Sequence, residues 1–314
     1  MFEERKINPE LLKQYREQGY WKNETLLDCW ERAAAQYPDR EYVVDDRGYR
    51  YTYRELDEAA GRVASYLMEL GIRPGEVVSY QLPIWSEFAM LTIACYKIGA
   101  VAHPIAMSYE EKELARSLNV TESRCYFGPT FFYKTDYEER ILAVRDQVPL
   151  LKDVVLIDSV RERKSNVPLL REILASCEPL PKERCVHTKN GQDIAVILCT
   201  SGTTGGTKGV LLTHDNVRYS EDTFNRELGL TEEDIMFMPA PLHHATGFHH
   251  AIIAPMLHGA KVVLQQKYQC RSAIELMNRE KVTYSMGATP FIYDILRELE
   301  TNGGAVPTLK FYLC

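Results

Sequence analysis

Between Val77 and Phe127 the sequence alternates between two kinds of apolar pattern, and this alternation limits the fold more than any other feature. Val77 to Leu82 is a short, continuous run that reads as a strand. Ser86 opens a helix over Glu87 to Ile98, apolar on most sides and therefore expected to be buried. Gly99 closes it, and Ala100 to Ile105 reads as the next strand. Ser108-Tyr109-Glu110-Glu111 fits a capping box opening a helix to Leu118, and Arg124 to Phe127 is a further strand. An earlier capping box, Thr52-Tyr53-Arg54-Glu55, precedes Leu56, Ala59, Ala60, Val63, Ala64, Leu67 and Leu70 at helical spacing, with Gly71 as a natural helix stop. Strands alternating with helices through short connections call for an α/β fold of mostly parallel sheets flanked by helices.

The remainder extends this pattern into two lobes. Val154 to Ile157 adds a strand. The stretch from Asp158 to Asp193 is polar and reads as a connection, with a short helix near Leu169 to Ser176. Strands are expected at Ile194 to Cys199, Val210 to Thr213, Ile235 to Met238, Lys261 to Leu264 and Tyr284 to Met286. Helices are expected at Asn216 to Leu228, Phe248 to Leu257, Ser272 to Arg279 and Pro290 to Leu299. The expected lobes are residues 1–190 and 191–314. A chain of 314 residues, 45% hydrophobic and 26% charged, has the composition of a soluble protein large enough for both. A net charge of −7 argues against a dedicated nucleic-acid binder. The eight cysteines form no C-x-x-C pair, and no apolar run is long enough to span a bilayer. No leader-like segment is apparent, so a reduced, cytoplasmic protein is expected.

The chemistry concentrates in Thr200-Ser201-Gly202-Thr203-Thr204-Gly205-Gly206-Thr207-Lys208-Gly209. Glycines let a backbone approach a ligand. Hydroxyls and free N–H groups can donate to several oxygens, and Lys208 adds a compact positive charge, which together suit a polyphosphate. The run fails the G-x-x-x-x-G-K-[ST] pattern: Thr207 stands at the second glycine and Gly209 follows the lysine. That pattern also feeds a helix, whereas Val210-Leu211-Leu212 looks like a strand. A solvated surface turn is the bland alternative.

The run resembles the signature loop of the adenylate-forming superfamily, T-S-G-T-T-G-x-P-K-G, except that Thr207 stands for proline. Three further blocks are similar in order: Lys97-Ile98-Gly99-Ala100-Val101 to Pro104, Pro241-Leu242-His243-His244-Ala245-Thr246-Gly247, and Gly287-Ala288-Thr289-Pro290. Thr52 to Leu56 looks like the family's early helix start. The resemblance implies the N-terminal domain of an acyl-CoA synthetase, here incomplete. It implies attack of a carboxylate on ATP, giving an acyl-adenylate, then transfer of the acyl group to coenzyme A, with Mg2+ bridging phosphates. By motif, Thr200, Ser201, Thr203 and Thr204 would bind phosphate oxygens, Gly202 and Gly205 would admit the backbone, and Lys208 would supply charge. Lys208, Thr203 and His244 are the implied catalytic residues. Thr207 in place of proline leaves the loop looser.

His243, His244, His249 and His250 invite a metal reading, but no Cys, Asp or Glu lies among them, and zinc needs three or four converging ligands. By resemblance His244 lies beside the acyl group and α-phosphate; a helix-start histidine is the plain alternative. Amino-acid-activating relatives carry an aspartate here, and Pro239 to His250 has no acid, so the substrate is expected to lack an ammonium group. His244, Gly247, Phe248 and Gly287 are the implied acid pocket, and the blocks look closest to short- and medium-chain fatty acyl-CoA synthetases. The alternatives are a nucleotide-binding homologue without turnover and an aryl-acid enzyme loading a carrier protein. The strand-like run Leu309 to Cys314 ends without a turn. The expectation is a fragment, weak or inactive by itself, without the adenine, ribose and hinge motifs that follow in the family.

Overall fold

Val77-Val78-Ser79-Tyr80, Val101-Ala102-His103-Pro104 and Cys125-Tyr126-Phe127-Gly128-Pro129 are buried at every position. Strands covered on both faces need continuous rather than alternating apolar runs, the condition of a parallel sheet. The computed structural model describes residues 8–201 and 207–314.

The strands in chain order are β1 (Glu41–Asp45), β2 (Arg50–Thr52), β3 (Val77–Tyr80), β4 (Val101–Pro104), β5 (Cys125–Pro129), β6 (Phe131–Phe132) and β7 (Thr135–Asp136). They continue with β8 (Asp153–Ile157), β9 (Ile194–Ser201), β10 (Thr207–Thr213), β11 (Ile235–Met238), β12 (Lys261–Leu264), β13 (Tyr284–Met286) and β14 (Phe311–Leu313). One six-stranded sheet has the order β10-β9-β4-β3-β5-β8, the other β14-β13-β11-β12-β1-β2. Only β10 in the first and β2 in the second run antiparallel to their neighbours. Mostly parallel sheets with helices between the strands are therefore what the chain forms.

The chain divides into two units that interleave along the sequence: Met1–Cys29 with Gly61–Gln81 and Ala94–Ser220, and Trp30–Ala60 with Leu82–Ile93 and Glu221–Cys314. This differs from a single boundary near residue 190. The reason lies in pairing: β9 joins the first sheet through Ala102 and Val196, while β1 joins the second through Val43 and Val262. Each unit has its own core. In the first, Leu114, Leu118, Ile141 and Val144 pack against Tyr126, Val154 and Leu156. In the second, Ala273, Leu276, Met277 and Ile295 cover Phe237 and Val263.

The capping box at Thr52 forms, with Thr52 N donating to Glu55 Oε2 at 2.8 Å and Glu55 N to Thr52 Oγ1 at 3.2 Å. The one expected at Ser108 does not. Tyr109 N bonds Ala106 O in a turn, so the helix starts later, at Glu111, with Glu110 as an N-cap lacking a side-chain bond. Gly71 and Gly99 take φ of +71° and +67°, as helix stops require. The helix expected over Phe248 to Leu257 forms continuously from Ala245 to Met256, with a π-helical stretch at Phe248–Ile253. Among the described residues no helix is long and apolar enough to cross a membrane.

Candidate functional site

In the first unit, β9 and β10 form an antiparallel hairpin in which Thr207 pairs with Ser201, Lys208 with Thr200 and Gly209 with Cys199. The glycine–hydroxyl run thus joins two strands rather than a strand and a helix. Gly202, Thr203, Thr204 and Gly205 lie outside the described residues. Thr200 and Ser201 end β9, Thr207 begins β10, and Lys208 is exposed. Gly209 answers to close packing, since a Cβ there would stand 2.9 Å from Ile197 Cγ2.

Beneath the hairpin runs a polar chain that sequence patterning missed. Ser123 Oγ donates to Ser79 Oγ at 2.7 Å, and Ser79 Oγ lies 2.7 Å from His103 Nδ1. His103 Nε2 is 3.3 Å from Ser117 Oγ and 3.4 Å from Cys199 Sγ. Thr121 Oγ1 lies 3.4 Å from the same Nδ1, so both ring nitrogens meet hydroxyl or thiol groups. Burial pushes the imidazole down to about 3, so it stays neutral. Burial also raises the Cys199 thiol, despite the hydroxyl of Ser117. A network of this kind fixes the strand that leads into the loop. Its only signal in the sequence is polar residues inside otherwise apolar strands.

In the second unit, the implied acid-binding residues follow the carboxyl ends of parallel strands, where open α/β sheets place ligands. After β11, His244 takes an extended N-cap conformation, and its carbonyl accepts from Phe248 N at 2.8 Å. Its side chain is exposed and lies against His243, with ring centroids 4.4 Å apart. Burial, reinforced by His244, lowers His243 to about 4. Gly247 is buried, and a Cβ there would meet the Pro241 carbonyl oxygen and Leu242 Cα, so the position admits only glycine without a shift of backbone. Phe248 is fully buried and meets Phe88 edge-on. Gly287 follows β13, donates its N–H to Leu313 O at 3.0 Å, and has Tyr312 Oη 2.7 Å from the position of a Cβ.

His249 and His250 are half-buried. Among the described residues no group of three or more His, Cys, Asp or Glu could hold an ion. Both imidazoles instead meet Glu221, a residue that the sequence reading did not single out.

The family described as AMP-binding enzyme matches residues 30–314. The sequence is 40% identical over 300 residues to the medium-chain fatty-acid–CoA ligase of Escherichia coli (strain K12), covering 96% of this chain and 52% of that protein. It is 28% identical to the 2,3-dihydroxybenzoate-AMP ligase of Bacillus subtilis (strain 168), covering 90% of this chain and 50% of that protein. Among solved structures, Mycobacterium smegmatis MbtA superimposes with a TM-score of 0.82 at 24% identity, over 93% of this chain and 53% of that one. ATP-bound MatB from Rhodopseudomonas palustris does so with a TM-score of 0.77 at 22% identity, over 92% and 54%. The chain spans about half the length of the curated relatives it matches. The ordered motifs, the two largely parallel sheets and a family match over nearly the whole sequence lead to one assignment: this chain belongs to the adenylate-forming AMP-binding enzyme family.

Proposed function

We propose that the chain provides the ATP-phosphate and acid-binding parts of an enzyme that activates a short- or medium-chain fatty acid to its acyl-CoA thioester. The observation that carries the substrate is the likeness to the medium-chain fatty-acid ligase over 96% of this chain. It is joined by the absence of any acidic residue between Pro239 and His250.

In the first step a carboxylate oxygen attacks the α-phosphorus of ATP. The bond from that phosphorus to the α–β bridging oxygen breaks, and pyrophosphate leaves with the electron pair. Negative charge grows on the leaving group, so donors already aimed at it lower the barrier. Lys208 and the hydroxyls of Thr200, Ser201, Thr203 and Thr204 take that role, with Gly202 and Gly205 admitting the backbone. Lys208 and Thr203 act on the transferring charge, and His244 at the start of its helix orients the acyl end. Mg2+ would neutralise phosphate oxygens. In the second step the sulfur of coenzyme A attacks the acyl carbon, loses its proton, and AMP leaves. Gly247, Phe248 and Gly287 shape the acid pocket.

A second reading, activation of an aromatic acid, is favoured by the likeness to the dihydroxybenzoate ligase. ATP–pyrophosphate exchange by the full-length protein with straight-chain acids of increasing length and with benzoates separates the two. Exchange greatest with alkanoic acids supports the first reading, and exchange confined to benzoates replaces it. Nucleotide binding with no exchange for any acid leaves a binding module.

A further inference from the structure

The helix His214–Leu228 carries a carboxylate with no exposure at all, that of Glu221. Its Oε2 lies 2.8 Å from His250 Nδ1 and its Oε1 3.3 Å from His249 Nδ1. Neighbours on an ordinary helix diverge by about 100°, so two consecutive imidazoles rarely reach one carboxylate. Here both lie in the π-helical stretch Phe248–Ile253, which turns less per residue. Such stretches recur at functional sites. The same helix face holds the segment at two more points. Phe224 meets the His250 ring with centroids 4.3 Å apart, and Asn225 Nδ2 donates to Ala254 O at 2.9 Å. A buried carboxylate held by polar partners adds little net stability over a well-packed apolar contact, so the value of these two contacts lies in fixing geometry. His249 donates Nδ1–H to Glu221, and its Nε2 is buried with no hydrogen-bond partner among the described residues.

We propose that Glu221 is a positioning residue: through His249 and His250 it fixes the π turn and thereby sets Phe248 and His244 for the acid. The inference rests on the reading that this segment receives the carboxylic acid.

The test compares the full-length protein with its Glu221→Gln and His250→Asn variants in acid-dependent pyrophosphate exchange, using octanoate as the probe. It adds 15N histidine NMR of the unaltered chain. A carboxamide offers one acceptor oxygen where the carboxylate offers two. The expected result for E221Q is a KM for octanoate at least tenfold higher, with the KM for ATP within twofold. In the NMR spectra, both imidazoles should carry Nδ1–H. Equal rises in both KM values, or no change in either, would overturn the proposal. So would Nε2–H tautomers at His249 and His250 with bare Nδ1, a result that needs neither turnover nor a folded variant. Absence of exchange by the full-length protein with every acid refutes the activation reading instead, and the tautomers then decide the role of Glu221.

Discussion

Lys208 stands opposite Thr200 in the β9–β10 register, so the lysine is tied to the residue that opens the glycine–hydroxyl loop. A charge-assisted contact to phosphate contributes about 1.5–3 kcal/mol, or roughly ten- to hundredfold in affinity. Lys208→Ala should weaken binding of an ATP analogue by that factor, measured calorimetrically. Because Lys208 is exposed, the melting temperature should not move. Lys208→Arg should recover only part of the affinity, since a planar fork replaces a compact ammonium.

Thr207 is the first residue of β10. Proline is tolerated at the first position of a strand, and fixing φ there removes conformational freedom from the unfolded chain. Thr207→Pro should raise stability by about 0.4–1 kcal/mol and bind an ATP analogue at least as tightly. Thermal unfolding and a binding titration check both. A loss of stability would show that the Thr207 N–H is needed.

Gly247 and Gly287 differ in what surrounds them. A Cβ on Gly247 meets backbone, the Pro241 carbonyl and Leu242 Cα, which cannot swing away. Gly247→Ala should cost stability near the top of the roughly 1–3 kcal/mol range for overpacking. A Cβ on Gly287 meets side chains, Tyr312 Oη at 2.7 Å and Phe291 and Pro239 at 3.0 Å. Gly287→Ala should therefore fold with a smaller loss and change the preference among acids. Urea unfolding of both variants, with exchange assays across chain lengths, separates the two effects.

Acid should destabilise the fold in two stages. Burial lowers His103 to about 3 and His214 to about 4, against an ordinary value of 6.5. The unfolded chain takes up these protons first, so stability falls as pH drops below about 6.5. Burial pushes Glu221 and Glu280 up, but His249 and His250 for the one, and Arg50 and Lys261 for the other, outweigh it and hold both carboxyls at about 2. Their contribution is present above about 4.5 and is lost as pH falls toward 2. Each fully buried group adds at most roughly 1.4 kcal/mol per pH unit. Urea midpoints at pH 7, 5.5, 4 and 3 should decline, more steeply over the last interval. A flat response between pH 6.5 and 4.5 would contradict the burial of neutral histidines.

The strands β3, β4, β5 and β8 were legible because burial on both faces leaves an unbroken apolar run bounded by Gly, Pro or a cap. The strand β1 was not. It ends at Asp45, a fully buried carboxylate that accepts from Ser86 N and Oγ at 3.1 and 2.9 Å. With Arg47 as its ion-pair partner two residues on, at 2.6 Å, Asp45 reads in sequence as part of a polar turn, and the Ser86 contact that buries it lies 41 residues away. The phosphate hairpin read correctly as a link between two strands. Its sheet did not, because a local pattern carries no information about which distant strand an edge will find.

The site divides in the same way. Lys208, His244, Gly247 and Phe248 belong to contiguous motifs and could be named from them. Glu221 sits in Ser220-Glu221-Asp222-Thr223, which has the look of a solvated helix face, and meets His250 across 29 residues. The π turn that lets both imidazoles reach it leaves no mark in hydrophobic spacing.

The interleaved second sheet sets a timetable for biosynthesis. Val43 in β1 pairs with Val262 in β12, so the strand emerges long before the partner that flanks it. At about 5–20 residues per second, that edge waits about 10–40 s. For that interval a run of buried-type residues, Tyr42-Val43-Val44, faces the cell with half of its ladder unmade. Newborn chain, rather than finished protein, is where this architecture is most exposed to aggregation, and where a chaperone that holds extended apolar segments would have its largest effect on yield.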